Sequence, residues 1–579
     1  MSKTVLDPAY LRQQIVGIDS TFETPFGERL MVYCDYTASG RCLRFVESYL
    51  QSLQRVYANT HTEDDITGRS MSQLLQEAED AIKQSVNAGP KGRIVACGTG
   101  ATGAIDKLQQ IVGVALPPAT RKNLGKVLER LGANVNNESF RAALDRYQPV
   151  VFIGPYEHHS NELSWRQSLV TTVEVRLDAT GNIDMGHLEE LLQDPRYQGR
   201  QRIGSFSAAS NVTGMRSDVR KIASLLHRYD AIACFDFAAC APYVEIDMNP
   251  APQSPDEDPS IDALFISPHK FLGGPGSSGI LVFNERIYDR ELPPSVSAGG
   301  TVDYVGRQGQ DFIRRIEERE KAGTPGVLQT LKAGMVFQIK DEVGVDVINA
   351  REHELTKRAM KKWGENEFID VLGNPDPGSR VGIISFNIRY GGGKYLHHKL
   401  ITVLLNDLFG IQSRAGCSCA GPYGHRLLQI DEATSERYRS AVKQGHCGMK
   451  PGWCRVGLHW VMDDAEANYV IDAVQFLARE GHRFLTLYDF DLSKGTWQHK
   501  HGSSVLPNFS LAAALDSQEG EPAILSLALR QQLYKHYLDE AQRFAKRLHE
   551  EPRAQCETIE GELGELQFFA LPTDERQPH

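Results

Sequence analysis

The chain has 579 residues, 41% of them hydrophobic and 24% charged, and a net charge of −11, a length that allows several domains and a large core. Ten cysteines over that length do not make a disulfide scaffold, no apolar run reaches the ~18 residues of a membrane helix, and the polar start Met1-Ser2-Lys3-Thr4 lacks the apolar region of a secretion signal. The moderately acidic balance, without a basic stripe, argues against nucleic acid as a partner and leaves a cytoplasmic enzyme as the expectation.

In chain order, Met71, Leu74, Leu75, Ala78, Ile82 and Val86 recur at helical spacing and Gly89-Pro90 stops the helix. A short strand, Arg93-Ile94-Val95-Ala96-Cys97, runs into Gly98-Thr99-Gly100-Ala101-Thr102-Gly103 and a helical pattern through Leu108 and Ile111. Small residues at such a turn let backbone N–H groups approach a phosphate, and the helix dipole favours the anion. No acidic residue about 20 positions on closes a dinucleotide-binding unit. The strand Val150-Val151-Phe152-Ile153 leads to Glu157-His158-His159-Ser160-Asn161. An imidazole there could stack on a flat ring and move protons near neutral pH, whereas adjacent histidines on an extended segment face opposite sides and chelate one metal poorly. Residues 217–229 form an amphipathic helix with Ser217 as its N-cap. Ala231-Ile232-Ala233-Cys234-Phe235 is a buried strand that ends at Asp236. Residues 249–260, rich in Pro and Asp, are a surface loop. The apolar run Ala263-Leu264-Phe265-Ile266 precedes Ser267-Pro268-His269-Lys270 and a glycine-rich turn, and a further strand follows at Gly279-Ile280-Leu281-Val282-Phe283. Residues 285–297 lead into a smaller C-terminal α/β domain, and Leu529, Leu533, Tyr537, Ala541, Phe544 and Leu548 mark a late amphipathic helix. Short apolar runs alternating with helices predict a mostly parallel sheet covered on both faces, with sites at the carboxyl ends of its strands.

Lys270 carries the most informative chemistry. An amine at the end of a buried strand, beside a serine and a histidine, can form a Schiff base with a cofactor aldehyde while its neighbours bind the cofactor phosphate. Taken singly, Lys270 also fits a solvated surface turn, and Asp236 fits a helix cap. Taken together they suit pyridoxal 5'-phosphate, whose ring nitrogen needs an acid against it so that the ring can draw electrons from the substrate.

These residues resemble fold-type I enzymes of the class V aminotransferase family, and within it the group II cysteine desulfurases and selenocysteine lyases. The resemblance runs from about Tyr33 to Ala473. Asp35-Tyr36-Thr37-Ala38-Ser39 is similar to the family's opening segment, Ser210-Asn211-Val212-Thr213-Gly214 to its Ser-Asn-x-x-Gly turn, and Ala322-Gly323-Thr324-Pro325 to its Glu-x-Gly-Thr-Pro segment. The resemblance implies Ala101 and Thr102 at the phosphate loop, His158 stacked on the ring, Asn211 near cofactor and substrate, Asp236 at the ring nitrogen, Ser267 and His269 on the phosphate, and Lys270 as the Schiff-base lysine. Gly299-Gly300-Thr301 resembles the stretch that reaches the partner subunit's phosphate, which implies a homodimer and a role for Thr301 across its interface.

Gln412-Ser413-Arg414-Ala415-Gly416-Cys417-Ser418-Cys419-Ala420 resembles the desulfurase loop Arg-x-Gly-x-x-Cys-Ala and places Cys419 on the persulfide-forming nucleophile. Cys417-Ser418-Cys419 is also similar to the Cys-x-Cys loop of molybdenum-cofactor sulfurases, with Cys417 placed to relay sulfur if the loop is extended, since residues two apart then share a side. Arg455 falls on the arginine that clamps the substrate carboxylate, a role that suits its fixed charge and bidentate geometry. The implied activity is removal of sulfur from L-cysteine, or selenium from selenocysteine, with alanine and an enzyme persulfide as products and a protein or small molecule as sulfur acceptor. Alternatives are an aminotransferase or C–S lyase of the same fold without persulfide chemistry, and a degenerate binding scaffold.

Two departures stand out. Ala239 replaces the family's usual Gln, and residues 116–149 are longer than the family's connection. The expected organisation is an arm over 1–30 packing with the small domain, a large cofactor domain over 31–295 with a mostly parallel seven-stranded sheet, a small α/β domain over 296–480 carrying the Cys loop, and an extension over 481–579 of unassigned role. Cys417, Cys419, Cys447 and Cys454, with His425 and His446 nearby, leave zinc or an iron–sulfur cluster as a rival, although their spacing is not a double Cys-x-x-Cys pattern and no metal is assigned. Cys97, Cys234 and Cys240 lie on apolar strands and read as buried thiols.

Overall fold

The computed structural model describes residues 6–60, 62, 64–131, 146–504, 506, 523–550 and 558–572. Contacts divide the chain into two units, one of residues 39–210 and 215–345, the other of 1–38, 211–214 and 346–579.

The first unit is built on seven strands. They are β1 (Gly92–Ala96), β2 (Val150–Ile153), β3 (Thr171–Glu174), β4 (Arg202–Ser207), β5 (Ile232–Asp236), β6 (Ala263–Ile266) and β7 (Ile280–Asn284). Their order across the sheet is β1-β7-β6-β5-β4-β2-β3. The five from β6 to β3 pair in parallel, and β7 alone runs against both of its neighbours. β2 and β6 are buried at every position, as expected for strands covered on both faces. The coverage comes from helices including α1 (Ile66–Ser85), α2 (Ala101–Ile111), α4 (His159–Gln167), α5 (Val219–Arg228) and α6 (Val327–Val343), whereas α3 (Pro118–Leu131) exposes Leu124 and Val127. Ile105 and Leu108 of α2 and Trp165 of α4 pack with Val151, Ile153, Phe265 and Leu281 of the strands, each such side chain contributing about 2 kcal/mol by burial.

Two details depart from the sequence reading. Asp218, not Ser217, caps α5, its carboxylate accepting from the Lys221 N–H at 3.1 Å, while Ser217 Oγ is held away between the Ser207 carbonyl, to which it donates at 2.6 Å, and the Tyr156 hydroxyl, from which it accepts at 2.7 Å. Residues 296–345, expected in the small domain, group with the sheet unit, since α6 lies against it: Ser85 Oγ at the end of α1 donates to Asp341 at 2.8 Å, and Lys340 Nζ to the Val244 carbonyl.

The second unit holds an antiparallel sheet of β8 (Ile369–Val371), β9 (Ile383–Gly391), β10 (Arg414–Gly416) and β11 (Trp453–Gly457), in the order β8-β9-β11-β10. α7 (His398–Phe409), α8 (Gly421–Leu427) and α9 (Asp464–Glu480) belong to this unit. The chain's start joins it through Val32–Tyr33, which pairs in parallel with Ile411–Gln412. Described parts of the C-terminal extension do the same. In α10 (Leu527–Glu550), Arg530 bonds Asp463 at 2.5 Å, Tyr534 stacks on Tyr469 at 4.2 Å, and Glu540 pairs with Arg29 at 2.6 Å. Among the described residues no helix is long and apolar enough to cross a membrane. Within residues 116–149, α3 is described to Leu131 and residues 132–145 lie outside the described part.

Candidate functional site

In the sheet unit the expected cofactor residues converge at the carboxyl ends of the strands. β5 delivers Asp236, which is buried and accepts from the Ala238 N–H at 2.8 Å. Burial pushes its carboxyl up, and the charge of Lys270 offsets part of that rise. Lys270 closes a short helical turn, Pro268–Lys270, directly after β6, its N–H donating to the Ser267 carbonyl at 3.0 Å. Ser267 Oγ accepts from the Ala101 N–H at 2.8 Å, at the first residue of α2. A Cβ on Gly100 would sit 3.0 Å from Ser267 Oγ and 3.4 Å from His269 Nε2, so a larger residue in the turn before α2 would make these side chains give way by a few tenths of an ångström. Burial, helped by the Lys270 charge, pulls His269 down to about 4, leaving a neutral imidazole at pH 7. Ser39, Gly98, Thr99, His269, Ser277 and Gln329 line a cleft of about 550 Å³ beside this turn.

His158 caps α4, its Nδ1 accepting from the Ser160 N–H at 3.1 Å, and Ser160 Oγ lies 2.7 Å from Thr102 Oγ1. Thus α2, α4 and the two turns after β5 and β6 bring Ala101, Thr102, His158, Asp236, Ser267, His269 and Lys270 together. Thr301 is in the same unit but is fully buried, with its hydroxyl donating to the Ala298 carbonyl at 2.7 Å. Glu157 was given no role by its sequence position. Its buried carboxylate accepts from Asn161 Nδ2 at 2.7 Å, from Ser207 Oγ at 2.6 Å and from the N–H groups of Ser207 and Gly154 at 2.9 and 3.2 Å. Burial pushes it up to about 7 despite those donors, and Asp236 adds to the rise. The signal available in the sequence was a charged residue beside two histidines after a strand. Its Ser207 donors come from a position 50 residues on.

The second unit gathers Asn211, Cys417, Cys419 and Arg455. Arg455 on β11 stands opposite Arg414 on β10. Asp35 bridges the two, one oxygen 3.0 Å from Arg455 Nη2 and the other 2.8 Å from Arg414 Nε. Arg455 Nη1 also donates to the Asn211 carbonyl at 2.9 Å, so this buried guanidinium is held between Asp35 and the Asn211 backbone. The Asn211 amide donates to the Ser418 carbonyl at 2.7 Å. Its Oδ1 is buried and has no donor among the described residues. Cys417 is half-buried and Cys419 exposed.

The Cys loop is not extended. Ser418 and Cys419 both take left-handed backbone angles, φ 50° and 56°, and the Ala420 N–H closes a turn on the Cys417 carbonyl at 3.0 Å. The two-residue alternation expected to put both thiols on one side therefore does not apply here. Among the described residues no group of three or more His, Cys, Asp or Glu side chains is arranged to hold a metal ion. Cys234 and Cys240 are buried as expected, whereas Cys97 is half-buried at the edge of the cleft; burial pushes Cys97 and Cys240 up to about 12.

A family model described as Aminotransferase class-V matches residues 137–470. A probable cysteine desulfurase of Halalkalibacterium halodurans is 26% identical over 398 residues, covering 68% of this chain and 84% of the relative. Another from Streptomyces coelicolor is 25% identical over 393 residues, with the same coverages. Among solved structures, the cysteine desulfurase CsdA of Escherichia coli aligns with a TM-score of 0.59 at 19% identity, over 82% of this chain and 98% of its own. The apo cysteine desulfurase of Thermococcus onnurineus NA1 aligns with a TM-score of 0.59, also at 19%, over 78% and 95%. At that identity the likeness establishes the fold, and it agrees with the fold-type I architecture expected from the motifs.

Proposed function

Because the chain belongs to the class-V aminotransferase family, we propose that it is a pyridoxal 5'-phosphate-dependent cysteine desulfurase that converts L-cysteine to alanine and leaves the sulfur as a persulfide on Cys419. The residues of the sheet unit fit the cofactor: a glycine turn where a Cβ would crowd Ser267 and His269, a buried acid at a strand end, and a lysine beside it. The turn before α2, Thr102, Ser267 and His269 would hold the phosphate, Asp236 the ring nitrogen, His158 one ring face, and Lys270 the aldehyde carbon. When bound, this group supplies an electron sink for the substrate's Cα and Cβ.

The protein's own residues do the rest. Lys270 Nζ takes the α-proton and returns one later. The Arg455 side chain, set by Asp35, and the Asn211 side chain, with its unsatisfied Oδ1, orient the substrate. The Cys419 thiolate attacks the substrate sulfur. The new S–S bond forms as the Cβ–S bond breaks, its electron pair stays with carbon, and a proton there completes alanine. Carbon is thereby reduced and the sulfur pair oxidised by the same two electrons, so no outside oxidant is needed.

The observation that carries the desulfurase reading over its rivals is an exposed Cys419 at the tip of a hydrogen-bonded turn in the matching loop. The free thiols among the described residues fit a reducing, cytoplasmic setting, and the exposed Cys419 fits a thiol or protein acceptor. Gly299 and Gly300, similar to the family's cross-subunit stretch, support a homodimer, whereas the Thr301 side chain is buried within its own unit. Cysteine-treated protein should gain about 32 Da, one sulfur, on the Cys419 peptide. Cys419→Ala should release no sulfide while borohydride still fixes the cofactor to Lys270. Full turnover in Cys419→Ala, with pyruvate and ammonia or a required keto acid, would replace this reading by the lyase or the aminotransferase.

A further inference from the structure

We infer that Ser418 and Trp453 are positioning residues for the Cys419 sulfur, the indole N–H holding the Ser418 hydroxyl so that the turn presents the thiol in one orientation. The inference rests on the desulfurase reading above. Two successive side-chain-bearing residues, Ser418 and Cys419, occupy the left-handed region at φ 50° and 56°. L-residues persist there only when their surroundings hold them, and such outliers concentrate at functional sites.

Here the restraints are identifiable. The Ala420 N–H closes the turn on the Cys417 carbonyl at 3.0 Å. Asn211 Nδ2 donates to the Ser418 carbonyl at 2.7 Å, and Trp453 Nε1 donates to Ser418 Oγ at 3.2 Å. Trp453 is itself immobilised. It lies on β11 opposite Gly416 of β10 and is 1% exposed. Its ring presses on Gly424 of α8, where a Cβ would come within 2.8 Å. A buried strand therefore fixes the indole, the indole fixes the hydroxyl of the residue between the two cysteines, and the next residue is the nucleophile.

Of these restraints, only the indole contact grips the Ser418 side chain; the others grip backbone. Without it the turn keeps two backbone bonds and is free to relax toward ordinary right-handed or extended angles, which swings Cys419 away. Attack on a sulfur atom tolerates little of this, a displacement of about 1 Å costing on the order of 100-fold in rate.

The test is single-turnover persulfide formation with L-cysteine, read by cyanolysis, in the holoenzyme of the wild type, Ser418→Ala, Trp453→Phe and the double variant. Each single variant should slow the step by about 10- to 100-fold. The visible absorption of bound cofactor and the half-saturating cysteine concentration should stay unchanged, which a general structural loss would not allow. Because one hydrogen bond is removed either way, the double variant should be no slower than the slower single variant. Trp453→Phe retains the ring against Gly424. Should it fail to fold, Ser418→Ala at a half-exposed turn decides the matter alone. Rates within about twofold of wild type, or effects that multiply in the double variant, overturn the inference while leaving the desulfurase reading intact. A wild type that forms no persulfide overturns both.

Discussion

Replacing Glu157 by glutamine should flatten the pH dependence of stability in the cofactor-free protein. The carboxylate is buried, and burial moves it from an ordinary 4.5 up to about 7. An acid that binds its proton more tightly when folded favours the folded state at low pH, and that contribution is lost as pH climbs from the ordinary value through the folded one. Between pH 5 and pH 8 the wild type therefore loses ~2.5 kcal/mol through this one group. For a unit of this size about 1 kcal/mol corresponds to roughly 2 °C in Tm, so the loss amounts to about 5 °C. The amide of the Glu157→Gln variant does not titrate. It keeps one oxygen to accept from the N–H groups of Ser207 and Gly154, but sets its NH₂ against Asn161 Nδ2, a pH-independent cost of about 1–2 kcal/mol. The assay is thermal unfolding of both proteins at half-unit steps from pH 5 to 8. The variant should start below the wild type and close the gap, or overtake it, by about 5 °C in difference. A difference constant to within ~1 °C would show that Glu157 titrates as an ordinary carboxyl and refute the argument.

Gly100→Ala puts a methyl 3.0 Å from Ser267 Oγ and 3.4 Å from His269 Nε2. The resulting overpacking of about 1–3 kcal/mol should weaken binding of the phosphorylated cofactor roughly tenfold in equilibrium dialysis, whereas Gly125→Ala, with nothing within 4 Å, should leave it unchanged. Equal affinities in the two variants would remove the turn from the phosphate site. Arg530→Met removes one of the two guanidinium groups, Arg530 and Arg12, that neutralise Asp463 and Asp19 together, and should cost about 3 kcal/mol in urea unfolding. Arg437→Met, which breaks an exposed pair with Glu565, should leave the urea midpoint nearly unchanged. Equal small losses would mean that α10 is not held to the second unit by buried charge.

Much of the sheet unit was readable along the chain because its signals are local. A run such as Ala263-Leu264-Phe265-Ile266 is a strand wherever it can be buried, and it hands Lys270 to the strand's carboxyl end through the short turn that follows. The same holds for β5 and Asp236, and for the glycines before α2, whose small size is itself the signal. Matching these elements in order against a family then assigned their chemistry.

Other features depend on residues far apart in the chain, and no window of sequence contains them. Asp35 acquires its role from Arg414 and Arg455, 379 and 420 residues away. Glu157 becomes a high-lying acid only because the completed fold buries it, an effect that outweighs the lowering by the Ser207 donors that β4 brings to it. The Cys loop would put both thiols on one side if it were extended, yet Trp453 and Asn211 grip Ser418 from positions 35 and 207 residues distant, alongside left-handed angles that neither Ser418 nor Cys419 favours alone. Local propensity is set by neighbours within a few residues. Burial, ion pairing and strain are set by whatever the completed fold packs against them, and at this protein's thiol loop and its buried acid the second set of forces decided the outcome.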